Sequence, residues 1–316
     1  MTARVLVAGG TGRLGTLLVA ALTVRGVPVR VLTRDVRRAA HLRDKGVEVV
    51  VGDVRDPDSI AAAVAGSDVA VSAVHGFAGP GGVSPTSVDR DGNITLIEAA
   101  RDAGVEVVLM SVVGAAPDSP LELFRMKHAA EAALAASPVP GTVVRSTAFL
   151  ELWIDLLGRS AGRSNRPVVL GRGNNPVNFV SVRDVAALLD RIIGDRTTRG
   201  CTFEIGGPTD LTLNQLADMV AKHRGRATGP RHLPPPVLRT ISATAGRVLP
   251  TLNRILNTAL VMDHDDMTSH NPTARTRFTD LPSTSATELL PANADERSAG
   301  GGNKTATSRV DHWSSP

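Results

Sequence analysis

Through its first half the chain sets short apolar runs against stretches of helical spacing. Residues 4–8 (RVLVA), 29–32, 47–51, 69–74, 105–110 and 139–144 are valine-rich runs of strand length. They lack regular polar alternation, as expected of strands buried on both faces. Residues 16–25 (TLLVAALTVR) carry the spacing of an amphipathic helix. Strands alternating with helices predict a parallel sheet covered on both faces, an α/β, doubly wound architecture.

The second half is less regular. Residues 150–157 predict a helix, with Phe149 and Trp153 four apart and read as sharing its face. Residues 178–182 lead into Asp184, read as the cap of a helix running through Ile193. Residues 203–205 predict a strand closed by Gly206-Gly207-Pro208. A helix over 212–222 has Thr212 as cap and Gln215 three positions later, a capping box. Residues 232–236 (HLPPP) read as a stiff connector. Helices follow near 237–249 and 253–261, with a last helix or turn over 282–290. From Pro291 the chain is rich in Ala, Ser, Thr and Gly and is expected to be disordered. The pattern divides into a regular core over 1–148, a less regular region over 149–290 and a tail over 291–316.

Chemistry enters at the first strand-to-helix turn. Gly9-Gly10-Thr11-Gly12-Arg13-Leu14-Gly15 follows the first apolar run directly and opens the first helix. In that context a glycine motif predicts dinucleotide binding. The backbone can approach a pyrophosphate, and the helix N-terminus attracts the anion. Gly10, Gly12 and Gly15 fit GxGxxG, whereas Gly9, Gly12 and Gly15 fit GxxGxxG. Arg34, just past the second strand, stands near where an acidic residue would hold the ribose of NAD. Its guanidinium suits a 2′-phosphate, so NADP(H) is the expected cofactor, with NAD(H) as the alternative. Arg13 inside the loop adds positive charge; Arg37 and Arg38 beyond Arg34 either add to it or read as solvated helix residues. Asp53, followed by Val54, ends the third strand and is placed to accept from the adenine amino group. Ser72-Ala73-Val74-His75 ends the fourth, where the chain would pass the cofactor, and Ser111 ends the fifth.

Composition narrows the function classes. The net charge of +4 comes from 35 basic and 31 acidic residues without a long basic run, and aromatics make up 3%. Nucleic-acid binding therefore has no support. No apolar stretch reaches membrane-spanning length, and the N-terminal run is broken by glycines unlike a signal peptide. The lone Cys201 excludes an internal disulfide framework and fits a reducing cytoplasm, either as a small core residue or as a reactive thiol. His264, Asp265, Asp266 and His270 cluster without a metal-ligand spacing and read as a solvated loop.

The motifs GGTGRLG, LTR, GDV, SAVHG, DRDGNITLIEAARDAGV, LMSVVGA, SPLELFRMKHAAEAALAAS, TVVRSTAF and NFVSVRDVA together carry a resemblance over residues 4–290. The chain resembles the atypical short-chain dehydrogenase/reductases of the NmrA-like group, which includes quinone reductases, isoflavone-reductase-like enzymes and redox-sensing regulators. The resemblance implies a Rossmann-type sheet with a small C-terminal substrate-binding or lid region. It implies that 149–290 is the substrate-binding region, with 177–194 returning to the core, and that Lys127 lies beside the cofactor; Phe149 and Trp153 then either stack on a planar substrate or pack in the core. A standard member of the wider superfamily uses Ser, Tyr and Lys, the Tyr protonating the carbonyl oxygen as hydride arrives. Ser111 and Lys127 match two of these. Leu123 stands at the Tyr position, and the chain contains no tyrosine. Three readings follow. Lys127 itself handles the proton; or the substrate is a quinone or enone that needs little proton assistance; or the protein binds NADP(H) without turnover and signals to a protein partner. His75, near the expected nicotinamide, is a further candidate for proton handling.

Overall fold

In the first strand, β1 (Val5–Ala8), Val5 and Val7 join one hydrophobic core while Leu6 and Ala8 join another. Alternate side chains leave a strand on opposite faces, so the sheet is sandwiched between two apolar layers. The computed structural model describes residues 3–77, 79, 81–225, 229–245, 250–269 and 272–291.

After β1 come α1 (Arg13–Val24), β2 (Val29–Thr33), the single-turn α2 (Ala40–Arg43), β3 (Glu48–Val51), α3 (Pro57–Val64) and β4 (Val69–Ser72). A π-helical stretch, Pro85–Gly92, continues into α4 (Asn93–Ala103). Then follow β5 (Glu106–Val112), α5 (Glu122–Ala136) and β6 (Gly141–Ser146). The remainder comprises β7 (Ala148–Phe149), α6 (Leu150–Ala161), β8 (Val168–Leu170), β9 (Pro176–Val180), α7 (Val182–Gly194), β10 (Thr202–Ile205), β11 (Asp210–Thr212) and α8 (Leu213–His223). Last come β12 (Arg231–Leu233), α9 (Pro235–Ala245), α10 (Pro250–Met262) and the short α11 (Thr273–Arg277) and α12 (Ala286–Leu289).

The main sheet is parallel throughout, in the order β10-β6-β5-β4-β1-β2-β3. The order reverses between β1 and β4, the crevice where doubly wound sheets bind ligands. One layer packs Leu18 and Leu22 of α1 with Val185, Leu188 and Leu189 of α7. The other packs Ile60 of α3, Leu96 of α4 and Leu134 of α5. A third core lies under the sheet β11-β9-β7 and around α6 and α8.

Several expectations change in detail. The strand at 202–205 joins the main sheet beside β6 as its seventh member. Ser181, not Asp184, caps α7, its hydroxyl accepting from Arg183 N–H. Asp184 is instead fully buried and accepts from Thr284 N–H at 2.9 Å, Thr284 Oγ1 at 2.7 Å and Arg275 at 3.1 Å, tying the C-terminal segment to the core. The proline-rich connector splits into β12, which pairs with β8, and the start of α9 at Pro235. Thr212 and Gln215 form the expected capping box. Apart from Pro291, the expected disordered tail lies outside the described residues, as does His270.

Candidate functional site

The glycine loop can be read one glycine at a time. Gly9 adopts φ +88, and a Cβ there would lie 2.6 Å from Ala73 O, so its lack of a side chain brings the end of β4 against the loop. Cβ atoms on Gly10 and Gly15 would strike Val31 at 2.7 Å and Gly9 O at 2.2 Å. Packing therefore accounts for these three. Gly12 differs: its φ is −82, it is exposed, and a Cβ would meet only Gly9 O at 3.2 Å. It is the N-cap of α1, and no side chain caps that helix. The fold leaves the N-terminal amides of α1 open and keeps a bare backbone before them. That arrangement fits an approaching phosphate.

Around this point the cofactor candidates gather from four strand ends. Thr11 is half-buried with its hydroxyl 3.5 Å from that of Thr33, while Leu14 is buried and offers only its backbone. Arg34 is exposed and has no hydrogen bond or ion pair among the described residues. Arg38 reaches back to donate to Thr11 O at 3.4 Å. Arg37 pairs with Asp35 instead. Arg13 turns the other way and pairs with Asp155 of α6, which links the loop to the region after β7. Asp53 accepts from Arg55 at 2.7 and 3.0 Å. That hydrogen-bonded guanidinium holds the carboxyl below the usual carboxylate range. Val54 is buried beside it. With Arg34 making no hydrogen bond or ion pair among the described residues, Arg34→Ala is expected to weaken NADPH binding by roughly 1.5–3 kcal/mol, the worth of a charge-assisted bond, and to spare NADH. Calorimetry with both nucleotides checks this, and equal weakening would remove the 2′-phosphate assignment.

A second cluster lies where β4 ends. Ser72 is buried and donates to Asn93 Oδ1 at 2.5 Å, and Asn93 Nδ2 donates to Asp89 O at 2.7 Å. Asp89, on the π-helical stretch, is fully buried. Its Oδ2 accepts from Gly76 N–H at 2.7 Å, and its Oδ1 lies 3.0 Å from Lys127 Nζ. Lys127, also buried, donates to Val74 O at 3.1 Å. One carboxylate thus fixes both the lysine and the loop after β4. Asp89 and Asn93 were not singled out from the sequence. The signal was an Asp and an Asn four apart within DRDGN, a spacing that shares a helix face.

The remaining candidates scatter around this cluster. Ser111 is buried, and its hydroxyl has no hydrogen-bond partner. His75 is exposed, yet protein crowds it closely enough that desolvation lowers its pKa, with Asp89 opposing and Lys127 adding to the effect. Desolvation thus favours the uncharged imidazole. Phe149 is the last residue of β7 and the N-cap of α6, with extended backbone, so the helical i, i+4 relation to Trp153 does not hold. Phe149 packs on the main core; Trp153 packs on the third, edge-on to Phe179 at 6.2 Å. Among the described residues no cluster of His, Cys, Asp and Glu is able to hold a metal, and no helix is long and apolar enough to cross a membrane.

The model of the NmrA-like family matches residues 1–283. An NAD(P)H azoreductase of Xenophilus azovorans is 29% identical over 224 residues, which is 70% of this chain and 74% of that protein. The photosystem II assembly factor Ycf39 of Trieres chinensis is 27% identical over 243 residues, 76% of this chain and 75% of its own length. The solved structure of the NADPH-dependent quinone oxidoreductase QOR2 of Escherichia coli, complexed with NADPH, superimposes with a TM-score of 0.72. It is 21% identical and covers 90% of this chain and 98% of its own.

Proposed function

The chain belongs to the NmrA-like family, and we propose that within it this protein is an NADPH-dependent reductase of quinone- or enone-like acceptors. The observation that carries the reading is the environment of the missing proton donor. Leu123 stands where a tyrosine would act, one helical turn before Lys127, and the chain has no tyrosine. The Lys127 side chain is enclosed between Asp89 and Val74 O, and desolvation disfavours the charged form of His75. Neither reproduces the hydroxyl donor that a tyrosine would place there. A quinone needs little such help, because its reduced oxygens are phenolic and take their protons from water.

When bound, NADPH supplies a hydride, so that quinone, NADPH and one proton give hydroquinone and NADP⁺. The chain's own residues bind and orient. The open N-terminus of α1 with Gly12 would receive the pyrophosphate, Arg34 and Arg38 the 2′-phosphate, and the loop held by Asp89 the nicotinamide end. The NAD(P)H azoreductase relative and the fold shared with a quinone oxidoreductase support reduction.

The test is a substrate panel with purified protein and NADPH. Quinones and enones are expected to turn over. Unactivated ketones, deprived of general acid help, are expected to be slower by about 10²–10⁴. Tight NADPH binding with no oxidation by any quinone or enone would replace this reading with a non-catalytic one, in which NADP(H) binding governs a protein partner. The assembly-factor relatives give that second reading its support. Good turnover of plain ketones would mean that another group donates the proton, with His75 the first to replace.

A further inference from the structure

A cavity of about 230 Å³ opens beside Leu123, between the first turn of α5 and the helix α10. Its apolar wall includes Phe77, Leu121, Leu123 and Phe124. Phe77 follows directly on Gly76, whose N–H Asp89 holds, so the cavity continues from the loop proposed for the nicotinamide end. The volume is small for a ligand pocket and suits one or two fused rings.

The charged groups on this wall do not balance. Among the described residues Glu122 is the one carboxylate lining it, and both its oxygens are engaged. Oε2 accepts from Arg254 Nε at 2.9 Å, and Oε1 accepts from Thr86 Oγ1 at 3.2 Å. Among the described residues Arg254, from α10, thereby commits only its Nε. Arg125 there commits only Nη1, which donates to Ser119 O at 2.6 Å. Two guanidinium groups against one carboxylate leave a net positive wall facing an apolar one. Arg254 is largely buried, at 17% side-chain exposure, where reduced solvent screening strengthens its attraction for an anion.

We propose that this cavity selects aromatic acceptors carrying an anionic substituent, a sulfonate or a carboxylate, received by the uncommitted nitrogens of Arg254 and Arg125. The proposal rests on the reductase reading above and adds the acceptor's charge to it. The ring lies against Phe77, Leu123 and Phe124, and the anion points toward α10. Arg254 is thus a specificity-determining residue contributed by the C-terminal region.

The experiment compares naphthoquinone with its ring-sulfonated derivative in the wild type and in Arg254→Gln, which removes the charge. The ratio of kcat/KM for the sulfonated over the neutral quinone cancels intrinsic reactivity between the two proteins. It should fall roughly 10- to 100-fold in the variant, the worth of a charge-assisted hydrogen bond. An unchanged ratio overturns the proposal. Arg125→Gln leaves the Glu122 contact intact and should lower the ratio in the same direction, which covers a poorly folded Arg254 variant. If neither quinone is turned over, the reductase reading fails separately. Calorimetry of naphthalene sulfonate with NADP⁺-loaded protein then decides: binding that weakens in Arg254→Gln supports the site, and absent or unweakened binding removes it.

Discussion

Replacing Gly12 by valine is expected to abolish NADPH binding, with affinity falling at least ~100-fold as two or more charge-assisted amide contacts are lost. The melting temperature should stay close to that of the wild type. Both halves follow from the same geometry. Gly12 has φ −82, which valine tolerates, and a Cβ finds only Gly9 O within 4 Å, at 3.2 Å. The added methyls would occupy the space in front of the open α1 amides. Gly15→Ala is the contrasting control, because its Cβ would lie 2.2 Å from Gly9 O. That variant should lose stability and binding together. Calorimetry paired with circular dichroism separates the two cases. A Gly12→Val protein that binds NADPH as tightly as the wild type would reduce the motif to a turn.

The second large effect belongs to Asp89. Asp89→Asn removes the negative charge but keeps the shape, leaving a buried ammonium beside Val74 O. Breaking a buried ion pair from one side costs about 3–5 kcal/mol, because the surviving charge is left uncompensated. Lys127→Met strands the carboxylate and should cost a similar amount. The double variant should recover much of the loss, since neither charge then remains buried. Urea unfolding of the four proteins gives the cycle. A single Asp89→Asn variant within about 1 kcal/mol of the wild type would show that the lysine does not depend on this partner.

The strands and the glycine loop were legible because their signals are local. Unbroken valine runs mark doubly covered strands, and glycine between a strand and a helix marks the phosphate turn. The capping box at Thr212 and Gln215 was equally plain, since both partners lie within one turn. What escaped depends on distant chain. Asp184 looks like a cap until Thr284 and Arg275 arrive from the C-terminal segment to bind it. Asp89 looks like a surface helix residue until α5 brings Lys127 over it. The stretch that carries it is π-helical, a form often found at functional sites and one that hydrophobic spacing does not reveal. Phe149 and Trp153 fit a helical pair in spacing alone; the chain is still extended at Phe149, so they part to different cores. Arg254 carried no signal at all, because its importance comes from where α10 lies against α5.

The position of α7 and β10 bears on how the protein is made. Both follow the substrate-side elements β7, α6, β8 and β9 in sequence, yet α7 covers α1 and β10 completes the edge of the main sheet beside β6. During synthesis the first six strands leave the ribosome with Leu18 and Leu22 bare and β6 unpaired on its outer side. The leucines stay so until α7 has emerged, and β6 until residue 205 has. A nascent chain stalled in that interval presents an apolar helix face and an open strand edge, the two features that invite aggregation. A fragment ended after β6 would carry the same defect permanently. The half over 1–148 is therefore not expected to transplant as a module, and chimaeras in this family should exchange material inside the 149–176 excursion rather than cut behind it.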